Sequence, residues 1–218
     1  MGVTPPTNRA SGRAADPVLA IVVDILEADG YDAVQLREVA RRARVSLATI
    51  YKRYMTRDDL ILAALETWME ENRYSGVSKQ SREQGESLYA ALMGLLRTIF
   101  EPWEEHPAML TAFFRVRSSP SGQKLLRQGL DIVVPTGLEI LADVDDVFIA
   151  DLDAIISSLV YGLLGRFAAG EIAITDIVPA LDRTVFYLTT GYEASQQKKR
   201  PPSRRGHKEG VSGRGVRR

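Results

Sequence analysis

The sequence contains no cysteine and only two histidines among its 218 residues. Disulfide frameworks and thiolate metal sites are therefore excluded. His207 lies in a Gly- and Arg-rich end segment, and His106 stands beside Glu104 and Glu105. A metal site at His106 is a weaker reading than an exposed helix start. No Gly-rich phosphate loop is present, so little catalytic apparatus is available: the chain reads as a non-enzyme with no cofactor and no metal. No internal repeat and no strand-period segment stands out. The N-terminal stretch has no apolar core of signal-peptide length. The longest apolar run, Ala154 to Gly165, holds two serines and ends at Arg166. That is short of the roughly 20 residues a bilayer requires, so the expectation is a cytoplasmic protein with no membrane partner.

Net charge is also lacking, but the zero conceals a division. Residues 1–60 hold nine basic and eight acidic side chains. Residues 61–194 hold 10 and 19, and the last 24 residues hold nine and one. A polyanion is attracted to the ends and repelled by the middle. The pattern is that of a basic module on an acidic body.

What is present is helical throughout. A helix runs from about Asp16, with Pro17 in its first turn, to Asp29, and Gly30 ends it, with Val18, Ile21, Val22, Ile25 and Leu26 on its buried face. Leu36, Val39, Ala40 and Ala43 then recur at i, i+3, i+4 and i+7, a narrow apolar stripe. Ser46 caps a second short helix, in which Ile50 points inward and Thr49, Tyr51, Lys52 and Arg53 remain outside. Residues 33–57 carry seven Lys/Arg against one acid, Glu38. This is a two-helix unit suited to a DNA groove; the alternative is a solvated basic pair that binds nothing. Thr56 and Asp59 form a capping-box pattern for the next helix, which runs to about Tyr74. Ser81 and Gln84 are expected to cap the helix after it, Pro102 and Pro107 to bracket a break, and Ser119–Pro120 to open a helix kinked at Pro135. The last two long stripes run from Leu152 to Phe167 and from Ile177 to Leu188.

The segment from Gly30 to Leu65 resembles the DNA-binding region of the TetR family of transcriptional regulators. The specific part is met by Val45, Ser46, Thr49, Ile50, Tyr51, Tyr54, Thr56, Arg57 and Leu60. The resemblance implies an all-α protein with an N-terminal three-helix helix-turn-helix domain and a larger helical ligand-binding and dimerisation domain. The expected division is a disordered arm at 1–14, the DNA-binding domain at 15–60, the ligand and dimer domain at 61–194, and a disordered basic tail at 195–218. Carried over position by position, the implied DNA contacts are Arg37, Ser46, Leu47, Ala48, Thr49, Tyr51, Lys52, Arg53 and Arg57; Arg44, not carried over, adds its own charge beside the DNA and completes the expected set. The implied partners are a second copy of the chain, a palindromic double-stranded operator and a small, apolar effector that releases it, most simply from a repressor. Two departures stand out: Arg44 where the family often has Gly, and Gln35 where it commonly has Thr or Ser.

Two further sets follow from the helical stripes. Leu152, Ile156, Leu159, Leu163, Phe167, Leu181, Val185 and Leu188 are the expected dimer face. Trp68, Phe100, Trp103, Met109, Phe113, Arg117 and Tyr161 are the candidate ligand contacts, with Arg117 suited to an anionic end. Ordinary core is the competing reading for each of these seven. An all-helical dimer that binds a protein partner is the remaining rival.

Overall fold

The computed structural model describes residues 16–117 and 120–199. Among them there are nine α-helices and no strand. Helix α1 spans Pro17–Asp29, α2 Leu36–Ala43, α3 Leu47–Arg53 and α4 Arg57–Met69. Helix α5 spans Leu88–Glu105, α6 Pro107–Val116, α7 Pro120–Ile140, α8 Asp146–Ala168 and α9 Ile177–Lys199.

The boundaries follow local chemistry. Asp16 accepts from the Val18 amide at the start of α1, and Gly30 closes it at φ 80°, where a Cβ would be strained. Thr56 and Asp59 bond reciprocally to each other's backbone amides, completing the capping box of α4. The cap of α5 is Ser87, which accepts from the Ala90 amide, in place of the expected Ser81 and Gln84. Asp145 does the same for α8 by accepting from Phe148.

Three features depart from the sequence reading. Helix α5 continues through Pro102 to Glu105, and the break is confined to His106. A mid-helix proline costs about 3 kcal/mol, but it lets Trp103, 2% exposed, pack 5.0 Å from Trp68 and 6.0 Å from Phe113. Helix α9 runs through Lys199, five residues into the stretch expected to be a disordered tail. There Gln196 donates to Asp145 at 3.0 Å and Ser195 to the Tyr192 carbonyl at 2.7 Å. Helix α8, at 23 residues, is long and apolar enough to cross a membrane by length and composition, because its helical span extends well beyond Ala154–Gly165. The expected arm at 1–14, the Ser119 cap and the tail beyond Lys199 lie outside the described residues.

One core joins the whole. Helix α1 packs on α2, α4 and α6, while α5 lies along α9 and α9 along α8. Helix α4 therefore leaves the basic module and enters the acidic body as a continuous rod. Its end, Glu70–Tyr74, is a π-turn, and it carries the buried Arg73. That guanidinium lies 4.3 Å over the Trp103 ring, donates to the Ile99 carbonyl at 2.9 Å and to the Tyr74 hydroxyl at 3.2 Å. Burial without a carboxylate partner pushes its pKa down to about 10.

Candidate functional site

Helices α2 and α3 meet as the stripe requires. Val39, Ala40 and Ile50 are buried, and Leu36, Ala43 and Val45 pack half-buried around them. The turn between the helices is closed by Arg44 at φ 55° and ψ 37°, the one non-glycine in the left-handed region among the described residues. Gln35 occupies the N-cap of α2 and makes no side-chain capping bond. Ser46 caps α3, its Oγ 3.0 Å from the Thr49 amide and 2.8 Å from Thr49 Oγ1. One hydroxyl donates to the other and the second keeps its proton, so Thr49 offers its methyl together with residual hydrogen-bonding capacity to a base edge. Ala48, Thr49, Tyr51, Lys52 and Arg53 are exposed, and Leu47 is half-buried.

The cations of this surface fall into two groups. Glu38 holds Arg41 and Arg42, each at 2.7 Å. Hydrogen bonds from Arg41 and then Arg42 lower the Glu38 carboxyl to about 2. Arg53 is paired with Asp16, the cap of α1, and that bond raises its own pKa. Arg57 donates to the Tyr31 carbonyl and lies 4.4 Å over the Tyr31 ring. Arg37, Arg44 and Lys52 have no ion pair among the described residues. These three present undivided positive charge beside α3.

Tyr31 and His106 were not singled out as links in the sequence, and both join the basic module to the body. The Tyr31 hydroxyl donates to Asp58 at 2.7 Å, and burial, then this carboxylate, raises the phenol above its ordinary 10.0. Arg115 of α6 lies 5.4 Å from the centre of the same Tyr31 ring and 3.7 Å from Asp32. His106 Nδ1 lies 2.7 Å from Glu27 Oε1 of α1, and its ring meets Trp68 edge-on at 5.5 Å. No sequence signal marks either link, because each depends on how α6 settles against α1. No group of three His, Asp or Glu side chains suited to a metal occurs among the described residues.

The body contains a cleft of about 620 Å³. Its walls are Leu92, Leu95 and Leu96 of α5, Val133, Val134 and Leu138 of α7, Leu141 just beyond it, Ile149, Ala150, Leu152 and Ile156 of α8, and Val185 of α9. Its polar groups are Asp146, Asp153 and Ser157, all on α8. None of the seven candidate ligand residues lines it. Trp68, Phe100, Trp103, Met109 and Phe113 are buried together as core. Arg117 lies 3.9 Å over the Phe114 ring and 5.4 Å from that of Tyr161, which is exposed. The apolar period of α5 and α7 contained this cleft, but a stripe alone does not show that two helices stand apart.

The expected dimer face is largely consumed within the subunit. Leu152, Leu163, Leu181 and Val185 are buried there, and Ile156, Leu159, Phe167 and Leu188 are half-buried against the same core. Helix α8 packs on α9 through this stripe, which leaves a different face outward. That face carries Val147, Ala154, Ile155, Ser158, Tyr161, Gly162 and Gly165, with Phe186 and Tyr187 exposed on α9.

The comparisons with known proteins agree with this geometry. Residues 23–64 match the family described as bacterial regulatory proteins, tetR family, and residues 85–188 match the tetracyclin repressor-like C-terminal domain. No curated protein sequence matches. A crystal structure of a TetR transcriptional regulator from Rhodococcus sp. RHA1 is similar at 20% identity and a TM-score of 0.58, covering 79% of this chain and 95% of its own. A TetR-like transcriptional regulator from the same organism is similar at 18% identity and a TM-score of 0.50, covering 78% and 92%. With both halves matched in order and the fold shared, the chain belongs to the TetR family of transcriptional regulators, with an N-terminal helix-turn-helix DNA-binding domain and a C-terminal ligand-binding domain.

Proposed function

We propose that the protein is a cytoplasmic, homodimeric repressor that grips a palindromic operator and lets go when a small, largely apolar effector fills the cleft between α7 and α8. The observation that carries the reading is the exposed, Ser46-capped α3 flanked by the unpaired Arg37, Arg44 and Lys52. Phosphate contacts from these cations position the protein, and Ala48, the Thr49 methyl, Tyr51 and Lys52 supply the groups for base edges. Arg53 and Arg57 are each held through one guanidinium nitrogen, by Asp16 and the Tyr31 carbonyl, and meet phosphates with their other N–H groups or by exchanging those partners. A two-fold dimer places the half-sites about 34–36 Å apart, or a multiple of that.

Dimerisation is supported by α8, whose most apolar window is only 11% buried within the subunit. An exposed apolar face of that length is unusual for a lone subunit. Ala154, Ser158, Gly162 and Gly165 permit close approach of a second copy. The larger part of the regulatory reading rests on α4, which begins at Arg57 beside the DNA surface and leads, through the π-turn that follows it, to the Arg73–Trp103 contact in the body. An effector acts only through a preference for the released state, with typical coupling of about 1–3 kcal/mol.

The test is titration of duplex DNA from the region flanking the coding sequence, against a random duplex of equal length. A steep salt dependence, preference for the flanking DNA and loss of that preference in Tyr51→Ala are expected. Equal binding to both duplexes would reject operator recognition.

A further inference from the structure

The cleft between α7 and α8 is chemically one-sided. Its walls are aliphatic, and the ionisable groups that touch it are two carboxylates, Asp146 and Asp153. No Lys, Arg or His lines it. The two acids stand seven residues apart on one face of α8, a separation of about 10 Å along the axis. Ser157 donates to Asp153 Oδ1 at 3.0 Å, so its proton is spent and the polar part of the cleft is an all-acceptor surface.

Nearby donors are already engaged elsewhere. Arg82 is held by Asp143 at 2.6 Å, and Gln196 by Asp145 at 3.0 Å. Asp146 and Asp153 have no ion pair among the described residues. The Arg117 side chain, the natural anchor for an anionic effector, stacks on Phe114 and Tyr161 and does not line the cleft. An anion in the cleft meets two like charges and no countercharge. Both carboxylates are solvent-exposed, so a cation meets them at the mouth of the cleft while its apolar body lies on the aliphatic walls.

We propose, resting on the assignment of this cleft as the effector site, that the effector is a lipophilic organic cation: an apolar body on the Leu95, Val133 and Ile156 walls, with a protonated amine or quaternary centre facing Asp153 and Asp146. The occupant is thereby the opposite in charge to the one that Arg117 suggests in the sequence.

The test uses the full-length protein and two probes of matched shape and opposite charge, tetraphenylphosphonium and tetraphenylborate, with neutral triphenylphosphine oxide as a third. Calorimetric titration is expected to show saturable binding of the phosphonium, about tenfold or more tighter than the borate. Asp146→Asn with Asp153→Asn should erase that preference, and Asp153→Asn alone should reduce it; thermal melting verifies that both variants fold. Ala150→Trp, which fills the cleft, should block all three probes. Equal or tighter borate binding, or a preference that survives the double variant, overturns the cation assignment. If the neutral probe still binds and Ala150→Trp blocks it, the cleft remains the effector site while its charge class is wrong. If Ala150→Trp leaves every probe bound, or divides the dimer, the effector-site assignment itself fails and the cation assignment falls with it.

Discussion

Asp16 caps α1 and, through the same carboxylate, holds Arg53 of the recognition helix 37 residues away. The Tyr54 hydroxyl approaches the same oxygen at 3.5 Å. One side chain thus sets the start of the first helix and the position of the end of the third.

Replacing Asp16 by Ala removes both roles. A lost N-cap costs about 1 kcal/mol, and the exposed ion pair adds at most a similar amount. Urea unfolding should report a loss of about 1–2 kcal/mol. The freed Arg53 should steepen the salt dependence of DNA binding by about one phosphate contact. A salt slope unchanged from the parent would show that Arg53 reaches DNA regardless of Asp16.

Arg44 sits in left-handed backbone at the end of α2. A side chain there costs about 1 kcal/mol relative to glycine. Arg44→Gly should therefore stabilise the protein by about that amount in chemical denaturation. It should also weaken binding to duplex DNA and flatten the salt slope by about one unit. Gain of stability together with loss of affinity is the signature of strain retained for a charge beside DNA.

Glu38 gives a pH dependence of defined sign. Its folded pKa is about 2, below the ordinary 4.5, because Arg41 and Arg42 bond to the ionised form. The stability it contributes is present above about pH 4.5 and is lost as pH falls through about 2. A carboxyl titration followed by NMR should place its midpoint near 2, and Glu38→Gln should remove that acid-side contribution. A midpoint above 4 would show that the two guanidinium bonds are absent in solution.

Arg73 is buried with an aromatic ring, a carbonyl and a hydroxyl but no acid. Arg73→Met keeps most of the packing volume and removes a desolvated charge, so stability should stay within about 1 kcal/mol or rise. Arg73→Ala leaves a cavity beside Trp103 and should cost about 2–4 kcal/mol. Urea unfolding of the two variants distinguishes packing from charge, and similar losses in both would assign the role to the hydrogen bonds.

Gly162 tests the proposed dimer face. A Cβ built there meets nothing within 4 Å inside the subunit, so substitution leaves the fold unstrained. Gly162→Leu should yield folded protein that sediments as a monomer. A dimer that persists with unchanged affinity would place the interface off this face of α8.

The helix-turn-helix was legible because its determinants are local. Ser46, Thr56 and Asp59 cap their own helices, and the Val39–Ala40–Ile50 stripe needs only its period. The cleft was not legible, because Leu95 and Val133 look like any core leucine and valine until α7 and α8 are seen to stand apart. How far the expected dimer stripe is used inside the subunit was not legible for a related reason: α8 is apolar nearly all round, and its period does not say which side α9 covers. Leu152, Leu163, Leu181 and Val185 went to the subunit's own core, leaving Ala154, Ser158 and Gly162 outside.

The all-α class, the capped third helix and the family are written in local chemistry, since propensity, capping and spacing act within a few residues of one another. Packing fixed which cations are free, which helix faces are covered and what charge the cleft presents. Arg53 and Arg57 are diverted by Asp16 and Tyr31, which lie 37 and 26 residues away in the chain. Long-range partners of that kind are set by how helices pack, and a linear pattern carries no record of them.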